Sequence, residues 1–234
     1  LVANNLANAH TTGFKHDLAV IRQREIERRG AAGGMAYRHP VLDGMTGGLF
    51  ARPTYHSVEQ GRIERTGRPL DVAIEGDGFL AVQDGDEVRY TRDGELALNR
   101  NHELVLSAGG GRWRVLSDRG APIVLARGGG EVGISDDGTV RQGGTVVATL
   151  SLMTTEDKQS LRKGGENVFD ASGAEMVPAD GRFVVGAREQ STYDMMRGLA
   201  AMIEATRAYQ LNATLIQLQD QMTGQAVSRV GQVS

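Results

Sequence analysis

The chain has 234 residues, 40% of them hydrophobic and 24% charged, which is enough apolar material for a core and excludes a disordered, solvent-swollen polypeptide. Twenty-six basic against 29 acidic residues give a formal charge of −3 and a pI near 6.0, which speaks against a generic nucleic-acid surface. No cysteine is present, so disulfides and thiolate zinc sites are excluded, and no run approaches the roughly 18 apolar residues of a membrane helix.

The opening LVANNLANAHTTGFK sets Val2, Leu6 and Ala9 at i, i+4 and i+7 and follows them with Gly13, a permissive stop. The spacing predicts the tail of a helix that starts ahead of Leu1. Asn4, Asn5 and Asn8 are poor residues for an isolated helix, because their side chains compete for backbone hydrogen bonds. Support must therefore come from outside the segment. In the following HDLAVIRQREIERR, Leu18, Ile21 and Ile26 stand among alternating charges, a pattern that fits a helix or an extended arm equally. Its basic run, Arg22, Arg24, Arg28 and Arg29, reads as a solvated or inter-subunit face. GAAGGM at 30–35 reads as a flexible joint.

Beyond Tyr37 the punctuation changes. Asp-Gly at 43–44, 77–78, 84–85, 93–94, 137–138 and 180–181 divides short β-like runs, since glycine accepts positive φ and aspartate caps its own turn. PLDVAIE, GFLAVQ, EVRYTR, ELALN, ELVLS, WRVLS and APIVLA follow at the spacing of antiparallel strands. With 32 glycines and only 5% aromatic residues, this predicts one β domain of short strands and tight turns, an open barrel or a sandwich. The glycine runs at 109–111 and 128–130 lack the lysine and Ser/Thr of a phosphate-binding loop and read as turns.

From Ser191 the period becomes helical. Leu199, Met202, Thr206, Tyr209, Ala213 and Ile216 step by three and four, and so do Ala208, Leu211, Leu215, Leu218 and Met222. The two series are expected to form neighbouring seams, an apolar face too wide for one partner helix. Several neighbours, or the β domain's own core, could cover it.

Catalytic signals are missing. His10, His16, His39, His56 and His102 form no metal-binding pair, and none lies near a nucleophile elbow. Asp84, Asp86, Asp93, Asp136 and Asp137 do not follow a calcium-loop order and all stand beside turn glycines. No enzyme and no cofactor is expected.

Three blocks carry a resemblance. ANNLANAHTTGFK at 3–15, QGRIERTGRPLDVAIEGDGFLAVQ with YTRDGELALN at 60–99, and MIEATRAYQLNATLIQLQDQM at 202–222 resemble the axial proteins of the bacterial flagellum, the rod and hook proteins of the basal body. One departure stands out. Where the family commonly carries Glu-x-Ser-Asn-Val before its terminal helix, this chain reads EQSTYDMM, keeping Glu189 and Ser191 only. The chain also has no room for the large extra domain of typical hook subunits, so the resemblance is to a rod protein, distal or proximal, with a short hook or hook-associated component as the alternative.

The resemblance implies a mainly β protein with terminal α-helices. It divides the chain into residues 1–36 and 189–234, which contribute to a helical polymerisation domain, and a central glycine-rich β domain at 37–188. It implies a subunit that polymerises head-to-tail into a hollow, torque-transmitting shaft around an export channel. Partners would be further copies, other rod and hook proteins and the surrounding basal-body rings, with neither nucleic acid nor membrane insertion. Subunit contacts are expected at Asn4, Asn5, Leu6, Asn8, Thr12, Gly13 and Phe14, where the asparagines would bridge to neighbours in a crowded helical wall. They are also expected along the terminal helix, first at Leu199, Met202, Ile203, Tyr209 and Ile216, and then at Leu211, Leu215, Leu218 and Met222. Export through the flagellum's own type III channel to a periplasmic location, with termini disordered before assembly, is implied as well.

Overall fold

The computed structural model describes residues 1–19, 21–23, 49–51, 55–57 and 59–230. The chain is mainly β, with a short helix α1 (Val2–Ala7) at its front and a long helix α2 (Met195–Val230) at its back. The first helix is shorter than its apolar spacing predicts: it ends before Ala9, and Gly13 at φ +64° lies in the turns that follow.

A nine-stranded antiparallel sheet forms the body. Across it run Arg162–Lys163, Val168–Asp170, Glu87–Thr91, Phe79–Asp84, Arg114–Val115, Leu104–Leu106 and Leu96–Leu98, and Leu152–Thr154 joins Phe79–Asp84 and carries Val177–Pro178. Its central hairpin pairs Asp84 with Glu87, so the turn is Gly85-Asp86, with Gly85 at φ +58°. A three-stranded meander (Val132–Ile134, Thr139–Gln142, Thr145–Thr149) and the pair Val72–Glu75 with Arg182–Val185 close the core. Ile74, Leu80, Val82, Leu104, Leu106, Val115, Val140 and Phe183 meet there, all buried. Val72, Ala73 and Ile74 are buried in succession, which means both faces of that strand are covered.

Two expectations from the sequence change in detail. The run APIVLA makes isolated bridges only, at Pro122 and Val124, because proline donates no ladder bond and the amides of Ile123 and Leu125 go to Val115 and His102 carbonyls of different segments. Asp93-Gly94 is a close approach rather than a hairpin turn, since a Cβ at Gly94 would stand 1.6 Å from the Val72 carbonyl oxygen. The choice between helix and arm after Lys15 is resolved toward the arm for the described residues: Asp17–Leu18 pairs with Tyr55–His56, and Ile21–Gln23 with Leu49–Ala51. Arg24, Arg28, Arg29 and the joint at 30–35 lie outside the described residues.

Candidate assembly interface

Residues 8–17 leave α1 and dock on the β body beside the strand Ala187–Glu189. The Gly13 amide donates to the Glu189 carbonyl at 2.7 Å and the Thr192 amide to the Phe14 carbonyl at 3.0 Å, so the N-terminal segment continues the pairing of the strand that leads into α2. Only glycine fits at position 13: beyond its positive φ, a Cβ would stand 2.5 Å from the backbone of Arg92.

Beneath the junction lies a buried ionic cluster. Lys15 Nζ is 2.6 Å from Glu189 Oε1, the Gly61 amide donates to the same oxygen at 2.6 Å, and an Arg92 guanidinium nitrogen is 3.5 Å from Oε2. Burial holds the Lys15 ammonium below its ordinary pKa, with Glu189 pulling the other way. Arg92 also donates to the Gly76 carbonyl and stacks over Phe79, so this one cluster ties the N-terminal segment, the exit strand and the sheet together. Lys163 covers Phe14, with its nitrogen 4.3 Å from the ring centre, and pairs with Asp17 at 2.7 Å.

The asparagines that pose the opening puzzle find partners within the subunit. Asn5, buried, donates through Nδ2 to the Asp17 carbonyl at 2.8 Å and accepts the Asp17 amide on Oδ1 at 2.9 Å, imitating a strand neighbour. Asn8 donates to the Asn4 carbonyl and accepts the Thr11 hydroxyl. The outside support that a weak helix needs comes from the chain itself, from the Asp17 backbone and from α2, which lies against α1. Asn5, Thr12, Gly13 and Phe14 are buried, Leu6 and Asn8 half-buried, and Asn4 exposed. Lys15, Glu189, Arg92, Thr192 and Lys163 complete the site, and no sequence pattern singles them out beyond the retained Glu189.

The second element is α2. Asp194 caps it, accepting the Met196 and Arg197 amides at 2.9 and 3.2 Å, so that the helix starts at Met195, four residues later than the switch of period at Ser191. Nearly all of its side chains from Leu199 to Gln225 are exposed, including Tyr209 at 76%, Leu211 at 66%, Leu215 at 62% and Met222 at 65%. The seams are opposite rather than adjacent. At about 100° per residue, Leu199, Met202, Ile203, Tyr209 and Ile216 centre roughly 180° around the axis from Leu211, Leu215, Leu218 and Met222. The helix thus carries one bare apolar face on its first half and another, on the far side, further out. Two different neighbours are needed to cover them.

Between α1 and the loop at 163–168 lies a groove of about 460 Å³, with Leu1, Asn4, Asn8, Thr11 and Phe14 on one wall and Lys163, Glu166, Asn167 and Val168 on the other. Among the described residues no three histidines or carboxylates gather to hold a metal, and no helix is long and apolar enough to cross a membrane.

Comparison with known proteins agrees with this anatomy. Residues 73–142 match the family model described as the flagellar hook protein FlgE/F/G D1 domain, and residues 185–229 match that of the flagellar basal body rod FlgEFG protein C-terminal region. The chain is 32% identical to the flagellar basal-body rod protein FlgF of Caulobacter vibrioides, over 100% of this chain and 92% of that protein. It is 31% identical to the flagellar basal-body rod protein FlgG of Borreliella burgdorferi, over 95% of this chain and 89% of that one. It is also 30% identical to the FlgG of Caulobacter vibrioides, over 98% and 92%.

Proposed function

The chain belongs to the flagellar basal-body rod protein family, and from that membership we propose that it acts by polymerising head-to-tail into the rod's hollow shaft. It is a structural subunit of the basal body. The observation that carries the reading is the long α2, bare on two opposite faces. Exposed apolar area of this extent marks a surface made for partners, and neighbours on opposite sides are what a wall of packed helices supplies. Contacts that do not close on themselves generate an open helical polymer, which a shaft requires.

In this reading residues 1–36 and 189–234 belong to the polymerising part and 37–188 to an outward β domain. Asn4, Leu6 and Asn8 contribute surface, while Asn5, Thr12, Gly13 and Phe14 hold that surface in place from beneath. The shaft transmits torque, encloses the export channel and works without catalysis. Its neighbours are further copies, other rod and hook proteins and the basal-body rings, and it reaches the periplasm through the flagellar type III channel.

Electron microscopy of basal bodies from cells carrying a tag in the 128–130 loop tests the proposal. Gly128 and Gly130 have positive φ in a surface turn, so an insertion there leaves the core intact. Label on the periplasmic shaft is expected, and its height distinguishes proximal from distal rod. Label on the external hook would give the hook-component reading, and unlabelled basal bodies would overturn both.

A further inference from the structure

Few residues fasten α2 to the β body. Gln190, next after the exit strand, is still tied to it, its amide donating to the Arg62 carbonyl and its side chain to Glu64 at 2.8 Å. Among the described residues α1 is the one element in extended contact with α2, and α1 is itself held by the Asp17 backbone. Between Gln190 and the Asp194 cap, the long-range bonds all lead to the N-terminal segment: the Thr192 amide to the Phe14 carbonyl, and the Thr192 hydroxyl to His16.

His16 sits on this joint. Its amide donates to Thr192 Oγ1 at 3.1 Å, and its ring Nδ1 lies 2.8 Å from the same oxygen. The hydroxyl hydrogen has two acceptors in reach, Nδ1 at 2.8 Å and the Phe14 carbonyl at 3.4 Å; the shorter contact takes it, so neutral Nδ1 accepts. The His16 ring centre is also 5.8 Å from that of Tyr193, and the Tyr193 ring lies on the first turn of α2, where a Cβ at Gly198 would stand 2.5 Å from it. A proton on Nδ1 turns this acceptor into a donor. Two donors then converge on Thr192 Oγ1, and its own hydrogen is left with the longer Phe14 contact.

We propose that His16 is a proton-operated catch: with a neutral ring it fixes the direction of α2 on the β body, and with a protonated ring it lets α2 swing. The inference goes beyond the polymerisation reading, because it concerns the single subunit. The charged groups facing the ring are Glu59, Lys163, Asp17 and Lys15; partial burial, together with the two lysines, outweighs the two carboxylates and holds the imidazolium below its ordinary pKa. A ring depressed in the closed state binds its proton less tightly there. The catch is therefore closed above the ordinary value of 6.5 and opens as pH falls below it.

The absence of cysteine makes the test direct. Spin labels are attached to Thr145→Cys on the β body and Gln210→Cys on α2, both exposed sites, and their separation is measured by pulsed electron resonance. The isolated chain is compared at about pH 8 and about pH 5. One narrow distance distribution is expected at the higher pH and a clearly broader one at the lower. His16→Asn keeps an acceptor oxygen where Nδ1 stands and cannot titrate, so its distribution should stay narrow at both. It also retains His56, another imidazole depressed by burial, and so separates the two histidines. Thr192→Val removes the hydroxyl and should be broad at both. Emission of the buried Trp113 should stay constant throughout, reporting an intact β body. A parent distribution independent of pH, broadening of His16→Asn along with the parent, or a parallel change at Trp113 would each overturn the catch. The readout comes from the lone subunit, so any of these results leaves the rod reading standing.

Discussion

The Glu189 carboxylate closes on the Lys15 ammonium at 2.6 Å, with the two side chains 0% and 2% exposed, across 174 residues of sequence. This pair joins the docked N-terminal segment to the strand that launches α2. The cost of burying both charges is offset only while each has its partner. Glu189→Gln should therefore destabilise the fold by about 3–5 kcal/mol in urea unfolding, since it strands the Lys15 charge in the interior. Adding Lys15→Met should recover a large part of the loss. Equal losses in the single and double variants would show that the pair is not coupled.

Gly13 gives a sharper local test. Gly13→Ala meets both a left-handed φ of +64° and a wall 2.5 Å away at Arg92, whereas Gly67→Ala meets φ +72° in open space. The second change should cost about 1–2 kcal/mol, the ordinary left-handed penalty, and the first clearly more. Position 13 is also expected to release the segment, read as faster amide exchange at residues 14–17. Similar exchange in both variants would contradict the close docking.

Asp93 lies buried beside Asp71 and Glu95, and burial pushes its carboxyl up to about 7 from 3.8. A carboxyl raised on folding binds its proton more tightly in the folded state, so its contribution is full below the unfolded value and is lost as pH rises through about 7. Between these limits the change is on the order of 4 kcal/mol. Asp93→Asn keeps an oxygen for the Glu95 amide and should flatten the stability profile between pH 4 and 7. Parallel profiles for the two proteins would assign the dependence to other groups.

The opposite faces of α2 make a prediction about assembly without folding. Ile203→Asp and Leu215→Asp each alter an exposed residue, at 54% and 62% of its surface, and should leave unfolding of the monomer within about 0.5 kcal/mol of the parent. Each should nonetheless stop incorporation into basal bodies, because each faces a different neighbour. If only one of them blocks incorporation, the helix has a single working face.

Local signals made the strands, the turn glycines and the long helix legible from sequence, since alternation, Asp-Gly pairs and a switch of period are all written within ten or twenty residues. Long-range pairing was not. The need of Asn5 for an outside partner could be read, but the partner, the Asp17 backbone, depends on a turn whose geometry only the docked segment shows. Lys15 and Glu189 look like ordinary surface charges until the fold brings them together. The seams of α2 are legible in their spacing, and so is their opposite placement, since on one continuous helix about 100° per residue fixes the phase between the two series and rules out the neighbouring seams expected from the sequence.

Assembly of a chain cut after Gly198 tests the central claim most directly. The cut keeps the Asp194 cap and every core strand and removes the exposed faces of α2. The account predicts an unchanged unfolding transition of the β body and complete absence of the shortened chain from purified basal bodies. Incorporation of the shortened chain at the level of the parent would contradict it, because the subunit would then be joined to the shaft by some surface other than α2.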